Sequence, residues 1–276
     1  MPPESSSPES SRARSYDIQL LGGGRMGEAL LGGLLTAGTV SPSQLAVVEV
    51  DPARRDHLTR RFDGVDVLDA PAGCRGLIVA TKPADVGPAV AAAVAAGVER
   101  LVSIAAGVST QSLESAAGAH LPVVRAMPNT PALVGAGAAA IAGGRHCAEA
   151  DLEWAESVLG AVGSVVRVPE SALDAVTGLS GSGPAYLFLV AEALIDAGVT
   201  AGLPRATADA LVRQTLLGAA TLLASGEDNA ETLRAAVTSP GGTTAAGLRV
   251  LEERATRAAF IDAVLAATER SRELGA

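Results

Sequence analysis

The chain has 276 residues, of which 48% are hydrophobic, and carries a formal net charge of -9 at pH 7. This length allows one large domain or two ordinary ones, and the hydrophobic content excludes disorder throughout. The acidic balance is the opposite of that expected for a nucleic-acid-binding protein of this size. Cys74 and Cys147 are too few for a disulfide framework and lack the spacing of a metal site, so we expect reduced thiols in a cytoplasmic protein.

Two features bear on membrane targeting. Residues 1–15 are rich in Ser, Pro and Glu and contain no apolar stretch like that of a secretory signal, so we expect a disordered tail. The longest weakly polar stretches, such as 131–144, are broken by Gly and Pro and are shorter than the roughly 20 residues that span a bilayer. We therefore expect a soluble protein with neither a membrane nor a nucleic acid as a partner.

Short apolar runs recur along the first part of the chain and alternate with helix-like segments rich in Ala and Leu. This rhythm is typical of βαβ units and predicts a parallel sheet. Two further runs, at 138–142 and 164–168, can extend the same sheet. The five principal predicted strands are 17–21, 45–50, 76–80, 101–104 and 123–126.

The strand signal stops after Pro169, and long helices follow from Pro184 onward. We therefore predict an α/β domain over 16–169 and an all-helical domain over 170–276. The segment 185–197 is apolar on nearly every face and must be buried all round. A helical domain of about a hundred residues can hardly enclose such a helix, so we predict an obligate oligomer in which a second subunit covers it.

The first predicted strand runs directly into a glycine-rich loop that opens a helix, and its residues are Gly22, Gly23, Gly24, Arg25, Met26 and Gly27. This G-x-G-x-x-G pattern between a strand and a helix predicts dinucleotide binding, whereas the alternative is a merely glycine-rich turn. Gly22 permits the tight turn, Gly24 lets the backbone approach a pyrophosphate, and Gly27 lets helix and strand pack closely. The free N–H groups of the helix N-terminus then face the phosphates.

Charges of both signs follow the second predicted strand, about 20 residues beyond the last glycine, where the adenosine ribose is usually recognised. An acidic side chain at Glu49 or Asp51 would accept hydrogen bonds from a free 2′-hydroxyl and favour NADH. An arginine at Arg54 or Arg55 would pair with the 2′-phosphate of NADPH. The alternative for each of them is a charged side chain that only faces water.

The 21 basic residues include a single lysine, Lys82, immediately after a predicted strand in the turn Ala80, Thr81, Lys82 and Pro83. A lysine retained where arginine is otherwise used suggests that a compact ammonium is needed there. Its position at the carboxyl end of the sheet, where open α/β folds bind ligands, favours this interpretation over chance survival of a surface lysine.

Two small-residue clusters precede predicted helices in the second part of the chain. The stretch 180–186 is interpreted as a helix cap. Its small residues either allow the backbone to approach a ligand or a neighbouring helix closely, or form a tight turn between the domains. The second cluster, 239–244, brings free N–H groups and two hydroxyls to a helix N-terminus, which suits a carboxylate or another small anion. An N-capping threonine is the alternative, but it leaves the double glycine unexplained.

Hydrolase and metal chemistry are disfavoured. The three histidines, His57, His120 and His146, accompany no recognisable Ser or Cys nucleophile motif. No group of His, Cys and Asp has metal-ligand spacing. The demanding chemistry is therefore assigned to a nicotinamide cofactor, with the protein supplying position and electrostatics.

With these residues in place, the chain resembles the pyrroline-5-carboxylate reductase family from about residue 16 to 274. The most specific stretches are 174–186 and 237–244, and Lys82-Pro83, 105–107 and 127–131 also look like that family. The resemblance implies an α/β fold with an N-terminal Rossmann dinucleotide-binding domain and a C-terminal all-helical substrate-binding and dimerisation domain. It also implies NAD(P)H-dependent hydride transfer to the cyclic imine 1-pyrroline-5-carboxylate, which yields L-proline.

The resemblance further implies roles for particular residues. Thr244 matches a threonine that hydrogen-bonds the ring nitrogen of the substrate, and Glu170, by itself an unremarkable exposed carboxylate, matches a substrate-side position. The turn that contains Ser239 and Thr243 holds the substrate carboxylate. The residues implied to surround the cofactor are those of the glycine loop and of the turn 80–83, together with Ala105 and Ala106.

Family members form dimers with intertwined C-terminal helices, often assembled into decamers, which implies that each site draws on two chains and fits the apolar helix. The residues Glu49-Val50-Asp51 depart from NADPH-preferring members, which tend to carry a neutral or basic residue there. We expect both cofactors to work, with NADPH favoured from family habit and NADH possible.

Three other functions are alternatives to this reductase activity. A β-hydroxyacid dehydrogenase would need a catalytic lysine in the helical region, which contains none. Another imine reductase would share the cofactor site but act on a different substrate. A dinucleotide sensor or scaffold without turnover is disfavoured by the intact turn at 239–244.

Overall fold

The computed structural model describes residues 15–118, 120–226 and 228–275. The expected N-terminal tail lies outside these residues except for Ser15. An α/β part comes first and a run of helices follows it.

In the described part of the chain, eight strands form one sheet in the order β3-β2-β1-β4-β5-β6-β7-β8. The first six strands are parallel to one another, and their order is that of dinucleotide-binding α/β folds. The strands are β1 Tyr16–Leu21, β2 Leu45–Val48, β3 Asp66–Leu68, β4 Cys74–Val79, β5 Leu101–Ser103, β6 Val123–Met127, β7 Gly137–Gly143 and β8 Gly163–Arg167.

All seven predicted strands are confirmed with small shifts at their ends, and the two additional runs extend the same sheet. The predicted parallel sheet is confirmed except at one pair of strands, since β7 runs antiparallel to β6. Residues 128–136 between these strands are too few for the crossover that parallel neighbours need. The strand β3 was missed because three residues with an aspartate among them carry no hydrophobic pattern.

Helices cover both faces of the sheet and bury separate apolar clusters against it. On one face Leu30 and Leu34 of the first helix are fully buried, and on the other Val90 and Ala93 of the third helix are fully buried. Burial of a large apolar side chain such as Leu30 contributes about 1.5–3 kcal/mol to stability. These helices are α1 Arg25–Thr36, α2 Pro52–Arg61, α3 Val86–Ala95, α4 Thr110–Ala117 and α5 Glu149–Gly160.

Helices make up the rest of the chain, and the first of them continue one another. A helical run from Glu170 to Thr200 contains a π-helical turn at Thr177–Gly181. The helix-cap interpretation of 180–186 is met only in part: α7 begins at Gly183 with Ser182 at its N-cap position, but no described side chain caps it and the π-helical turn directly precedes it. The elements are α6 Leu173–Val176, α7 Gly183–Thr200, α8 Arg205–Ser225, α9 Ala230–Ala236, α10 Thr243–Glu253 and α11 Thr256–Gly275.

Glycines in and just before this stretch allow close approach to a neighbouring helix, which was one of the two roles considered for it. A Cβ atom added at Gly178 would lie 2.5 Å from Thr268 Oγ1 and 2.7 Å from the carbonyl oxygen of Val264, both in α11. A Cβ at Gly181 would lie 2.9 Å from the methyl carbon of Met127 in β6. The glycines therefore bring the π-helical turn against α11 and the sheet.

The apolar helix α7 is not enclosed within one subunit. None of the 18 residues described for it is buried, and Leu187, Phe188 and Leu189 are each more than half exposed. The expectation that this helix is buried all round is therefore not met by a single chain. Its apolar side chains, with Leu217 of α8, leave a surface for a second subunit to cover.

By length and composition, the helix Glu170–Thr200 is also long and apolar enough to cross a membrane, with a mean hydropathy of 1.3. The sequence-based count of apolar stretches missed it because it treated Gly and Pro as breaks. In the structure Gly181, Gly183 and Pro184 lie within or at the start of helical turns. Such a helix in isolation is weak evidence for a membrane span, because apolar helices of soluble proteins pass the same test.

Candidate functional site

The glycine loop lies at the point where the strand order reverses, between the carboxyl ends of β1 and β4. Gly22 has φ +97°, and a Cβ there would lie 2.7 Å from the carbonyl oxygen of Ala80. A Cβ at Gly27 would collide with the carbonyl oxygen of Gly22. The loop therefore has no room for side chains at these two positions, and its shape is determined by backbone packing.

Gly24 is different, because a Cβ there would meet no described atom within 4 Å. It is the N-cap of α1, and no described side chain accepts a hydrogen bond from the first turn of the helix. The N–H of Glu28 is the first to bond within the helix, to the carbonyl oxygen of Gly24 at 2.8 Å. The N–H groups of Arg25, Met26 and Gly27 therefore have no intrahelical partner among the described residues, and a bound pyrophosphate could accept hydrogen bonds from them.

A pocket of about 430 Å³ lies beside this loop, at the carboxyl ends of β1, β2 and β4. Thr81 lines it, and its buried Oγ1 has no hydrogen-bond partner among the described residues. An unsatisfied buried hydroxyl is costly, so a bound group that supplies its partner fits this site. The predicted cofactor residues that line the pocket are Gly22, Gly24, Ala80, Thr81 and Lys82.

Lys82 is exposed and begins the short 3-10 turn Pro83–Asp85. In the described part of the chain it forms no ion pair. Its ammonium is therefore available to a ligand in the pocket.

A second cleft, of about 660 Å³, joins the glycine loop to the helical part of the chain. Its lining is mostly apolar, which suits a planar ring better than a phosphate. Sequence reasoning identified Arg25 and Met26 but missed Phe188, since one aromatic residue within an apolar helix carries no signal of its own. The lining residues are Arg25, Met26, Thr130, Pro131, Leu133, Val134 and Phe188.

The loop after β5 contains the remaining predicted cofactor residues. Ala105 is buried and its N–H donates to Ser103 Oγ at 3.3 Å, whereas Ala106 is exposed. The next residue, Gly107, has φ +75°, and a Cβ there would lie 3.2 Å from the carbonyl oxygen of Leu274. The end of α11 therefore packs against this loop.

A charged cluster behind the glycine loop was not foreseen. Glu28 of α1 accepts hydrogen bonds from Arg54 and His57 of α2 and forms an ion pair with Arg61 at 2.9 Å. Partial burial alone would raise the pKa of Glu28, but the hydrogen bonds from Arg54 and His57 and the charges of Arg54 and Arg61 outweigh it and lower the pKa. Glu28 is therefore ionised and holds Arg54 in place.

Glu170 begins the helical part of the chain and is bound to the α/β part. Its carboxylate accepts hydrogen bonds from Thr110 N at 2.7 Å, Thr110 Oγ1 at 2.5 Å and Arg125 Nη1 at 3.2 Å. Burial raises the pKa of Glu170, but the hydrogen bonds from Thr110 and Arg125 outweigh it and lower the pKa. The contacts described for Glu170 thus join the two parts of the chain, and the substrate-side position that the resemblance implied stays a prediction.

The third glycine cluster forms the turn before α10. Gly241 has φ +69°, Gly242 is the N-cap, and no described side chain caps this helix. The alternative of an N-capping threonine is therefore wrong. Thr243 is exposed and Thr244 is half-buried. Residues 239–244 are not among those that line the two pockets described above.

Comparison with known proteins bears on this site. The family model described as pyrroline-5-carboxylate reductase dimerisation matches residues 170–274, and that of coenzyme F420-dependent NADP oxidoreductases matches residues 17–107. A pyrroline-5-carboxylate reductase from Synechocystis is 46% identical, over 95% of this chain and 99% of its own length. One from Mycobacterium tuberculosis is 46% identical, over 93% of this chain and 96% of its own.

This chain belongs to the pyrroline-5-carboxylate reductase family. The solved structure of a Coxiella burnetii pyrroline-5-carboxylate reductase agrees, with a TM-score of 0.90, 34% identity and coverage of 95% of this chain and all (100%) of that one. A Plasmodium falciparum member with NADP bound has a TM-score of 0.80 and 28% identity, with coverage of 95% of this chain and 98% of its own.

Family membership establishes the chemistry. The chain is an NAD(P)H-dependent oxidoreductase of proline biosynthesis that acts on a C=N bond and reduces 1-pyrroline-5-carboxylate to L-proline. The α/β fold with a Rossmann domain and a helical dimerisation domain is confirmed, and the protein self-associates. The alternative of a β-hydroxyacid dehydrogenase or another imine reductase is not favoured.

Two substitutions in the glycine loop separate folding from binding. Gly22→Ala should lower the free energy of unfolding by about 1–2 kcal/mol or more, because a side chain is strained at this φ and meets Ala80. Gly24→Ala should leave the stability of the cofactor-free protein within about 0.5 kcal/mol of wild type. It should nevertheless weaken NAD(P)H binding about tenfold, because its methyl group occupies the phosphate space.

Thermal unfolding without cofactor and calorimetric titration with cofactor measure the two effects. Unchanged cofactor affinity in Gly24→Ala would contradict the assignment of the phosphate site.

The lowered pKa of Glu170 predicts a stability that depends on pH. The ionised carboxylate stabilises the fold at neutral pH, and this contribution is lost as the pH falls through the lowered pKa, below the usual range of a glutamate. Glu170→Gln should lower the free energy of unfolding by about 1 kcal/mol at pH 7 and by progressively less as the pH falls. Urea unfolding at a series of pH values measures this difference, with the exposed Glu153→Gln as a control. Parallel pH profiles for wild type and Glu170→Gln would contradict it.

Proposed function

We propose that the predicted residues divide into two groups that hold the two reactants. The glycine loop 22–27, the turn 80–83 and the loop at Ala105 and Ala106 hold NAD(P)H. Ser239, Thr243, Thr244 and the N-terminus of α10 hold 1-pyrroline-5-carboxylate. The observation that carries the first assignment is the open N-terminus of α1 beside the unsatisfied hydroxyl of Thr81.

The uncapped N-terminus of α10 suits the carboxylate of the substrate. Its free N–H groups and the positive end of the helix dipole attract an anion, and the hydroxyls of Ser239 and Thr243 lie in the same turn. Thr244, half-buried in the first turn, donates to or accepts from the ring nitrogen. Glu170 supports the site from the substrate side by joining the two parts of the chain.

Catalysis under this proposal is mostly a matter of position. When bound, the nicotinamide supplies the hydride that the imine carbon accepts. A protonated imine takes up hydride without a strong general acid, so the chain's own residues bind and orient the two reactants. Such orientation is worth about 7–11 kcal/mol of the barrier in well-placed intramolecular reactions.

We further propose that each site draws on two subunits. The turn 239–244 does not line the described pockets beside the glycine loop, and the helices that carry it expose apolar side chains toward a partner. The division between the domains falls at 169/170, and further assembly of dimers into a decamer follows the habit of the family. A partner subunit that covers the apolar helix removes the need for a membrane around it. We therefore propose a cytoplasmic protein with neither a membrane nor a nucleic acid as a partner.

Thr244 provides the test of the substrate assignment. Thr244→Ala should lower kcat/KM for 1-pyrroline-5-carboxylate about tenfold or more, since one hydrogen bond to a charged group is lost. Cofactor affinity should remain nearly that of wild type. Thr244→Ser keeps the hydroxyl and should retain most of the activity. Steady-state kinetics and calorimetric titration measure both quantities, and full activity in Thr244→Ala would show that the assigned role is wrong.

Mixed dimers test whether two subunits share a site. Gly24→Asp disables the cofactor half of the site and Thr244→Ala weakens the substrate half. If the halves come from different chains, co-expression of the two variants restores roughly a quarter of wild-type activity, since half of the dimers are hybrids with one intact site each. If both halves come from one chain, the mixture is no more active than the separate variants. Steady-state kinetics on the co-expressed mixture, and on hybrids purified through two different tags, distinguish the two arrangements.

A further inference from the structure

The cofactor pocket holds an acidic side chain where the adenosine ribose is recognised. Glu49 follows β2 and lines the pocket together with Gly22, Gly24 and Lys82. Family membership leaves the choice between NADH and NADPH open. We propose that Glu49 makes this enzyme prefer NADH, because its carboxylate binds a free 2′-hydroxyl and repels a 2′-phosphate. This inference rests on the cofactor site proposed above.

The backbone holds the Glu49 carboxylate in place. Its Oε2 accepts a hydrogen bond from the N–H of Gly23 at 3.0 Å, and its Oε1 accepts one from the N–H of Asp51 at 3.0 Å. A carboxylate offers about four acceptor positions, so about two remain free. The side chain is thus attached to the glycine loop itself and still accepts hydrogen bonds from ribose hydroxyls.

The arginines that would bind a 2′-phosphate are engaged elsewhere. Arg54 donates from Nε to the carbonyl oxygen of Gly23 at 2.6 Å and forms an ion pair with the half-buried Glu28. Arg55 donates from Nη1 to the carbonyl oxygens of Glu49 at 2.8 Å and Val50 at 3.0 Å. Neither arginine lines the pocket. Recruiting Arg54 to a phosphate would leave Glu28 without its principal partner.

The remaining charges of the pocket also oppose a phosphate. Three carboxylates line it, those of Glu49, Asp69 and Asp85, against the single ammonium of Lys82. A phosphate monoester carries a charge of about −1.5 to −2 at pH 7. Placing it beside this set adds like-charge repulsion that NADH avoids. The chain's own charges therefore oppose the NADPH preference expected from family habit.

The experiment compares NADH and NADPH in two independent measurements. Calorimetric titration of the full-length enzyme without imine gives the two dissociation constants, and steady-state kinetics with 1-pyrroline-5-carboxylate give the two values of kcat/KM. We expect wild type to favour NADH about tenfold or more in both. Glu49→Gln, which removes the charge but keeps the size, should shift the ratio about tenfold toward NADPH. Glu153→Gln makes the same change outside the pocket and should not alter the ratio.

Binding of NADPH by wild type as tight as that of NADH would overturn the inference, and so would an unchanged ratio in Glu49→Gln. If the variant does not fold, the wild-type comparison alone decides. If the enzyme reduces 1-pyrroline-5-carboxylate with neither NADH nor NADPH, the proposed function is contradicted instead. The titrations would still decide the role of Glu49.

Discussion

The close backbone approach between the first and fourth strands is the constraint on which the proposed cofactor site depends. Gly22 lies against the carbonyl oxygen of Ala80, and Gly27 lies against the carbonyl oxygen of Gly22, so that α1 begins directly at the edge of the sheet. Its free N–H groups are thereby presented at the point where the strand order reverses. The loop in turn supplies backbone groups to its neighbours, since Gly23 donates to Glu49 and accepts from Arg54. Close packing of backbone atoms at these glycines thus determines where the charged side chains around the loop are held.

The helical domain depends on contacts outside itself. It buries few large apolar side chains, of which Leu173 is one, and Leu173 packs against Ala140 and Ala142 of β7. Asn129 donates to the carbonyl oxygen of Ser180 at 3.0 Å and accepts from Ala138 N at 2.8 Å, so a buried amide joins the π-helical turn to the sheet. A π-helical turn leaves backbone groups out of the regular pattern, and here one of them is used for this link. The exposed apolar faces that remain are the reason that the subunit needs a partner.

Much of the α/β part was predictable because its signals are local. Seven strands are short apolar runs, and the glycine loop is contiguous in sequence, so both are visible without a structure. The errors have physical causes: β3 is too short to carry a pattern, and β7 reverses direction because its connection is short. The π-helical turn before α7 was not foreseen because glycine usually interrupts helices, whereas Gly178 and Gly181 lie inside this turn and allow close packing against α11 and the sheet.

The amino-acid sequence by itself determined the fold class, the family, the reaction and the candidate residues, because these follow from patterns of neighbouring residues. Only the tertiary structure decided which charges line the proposed cofactor pocket. Glu49, Asp51, Arg54 and Arg55 are equivalent candidates in the sequence. In three dimensions Asp51 caps α2, both arginines are bound to protein groups, and Glu49 lines the pocket. Which charge lines the pocket depends on partners distant in the chain, and no local pattern records them.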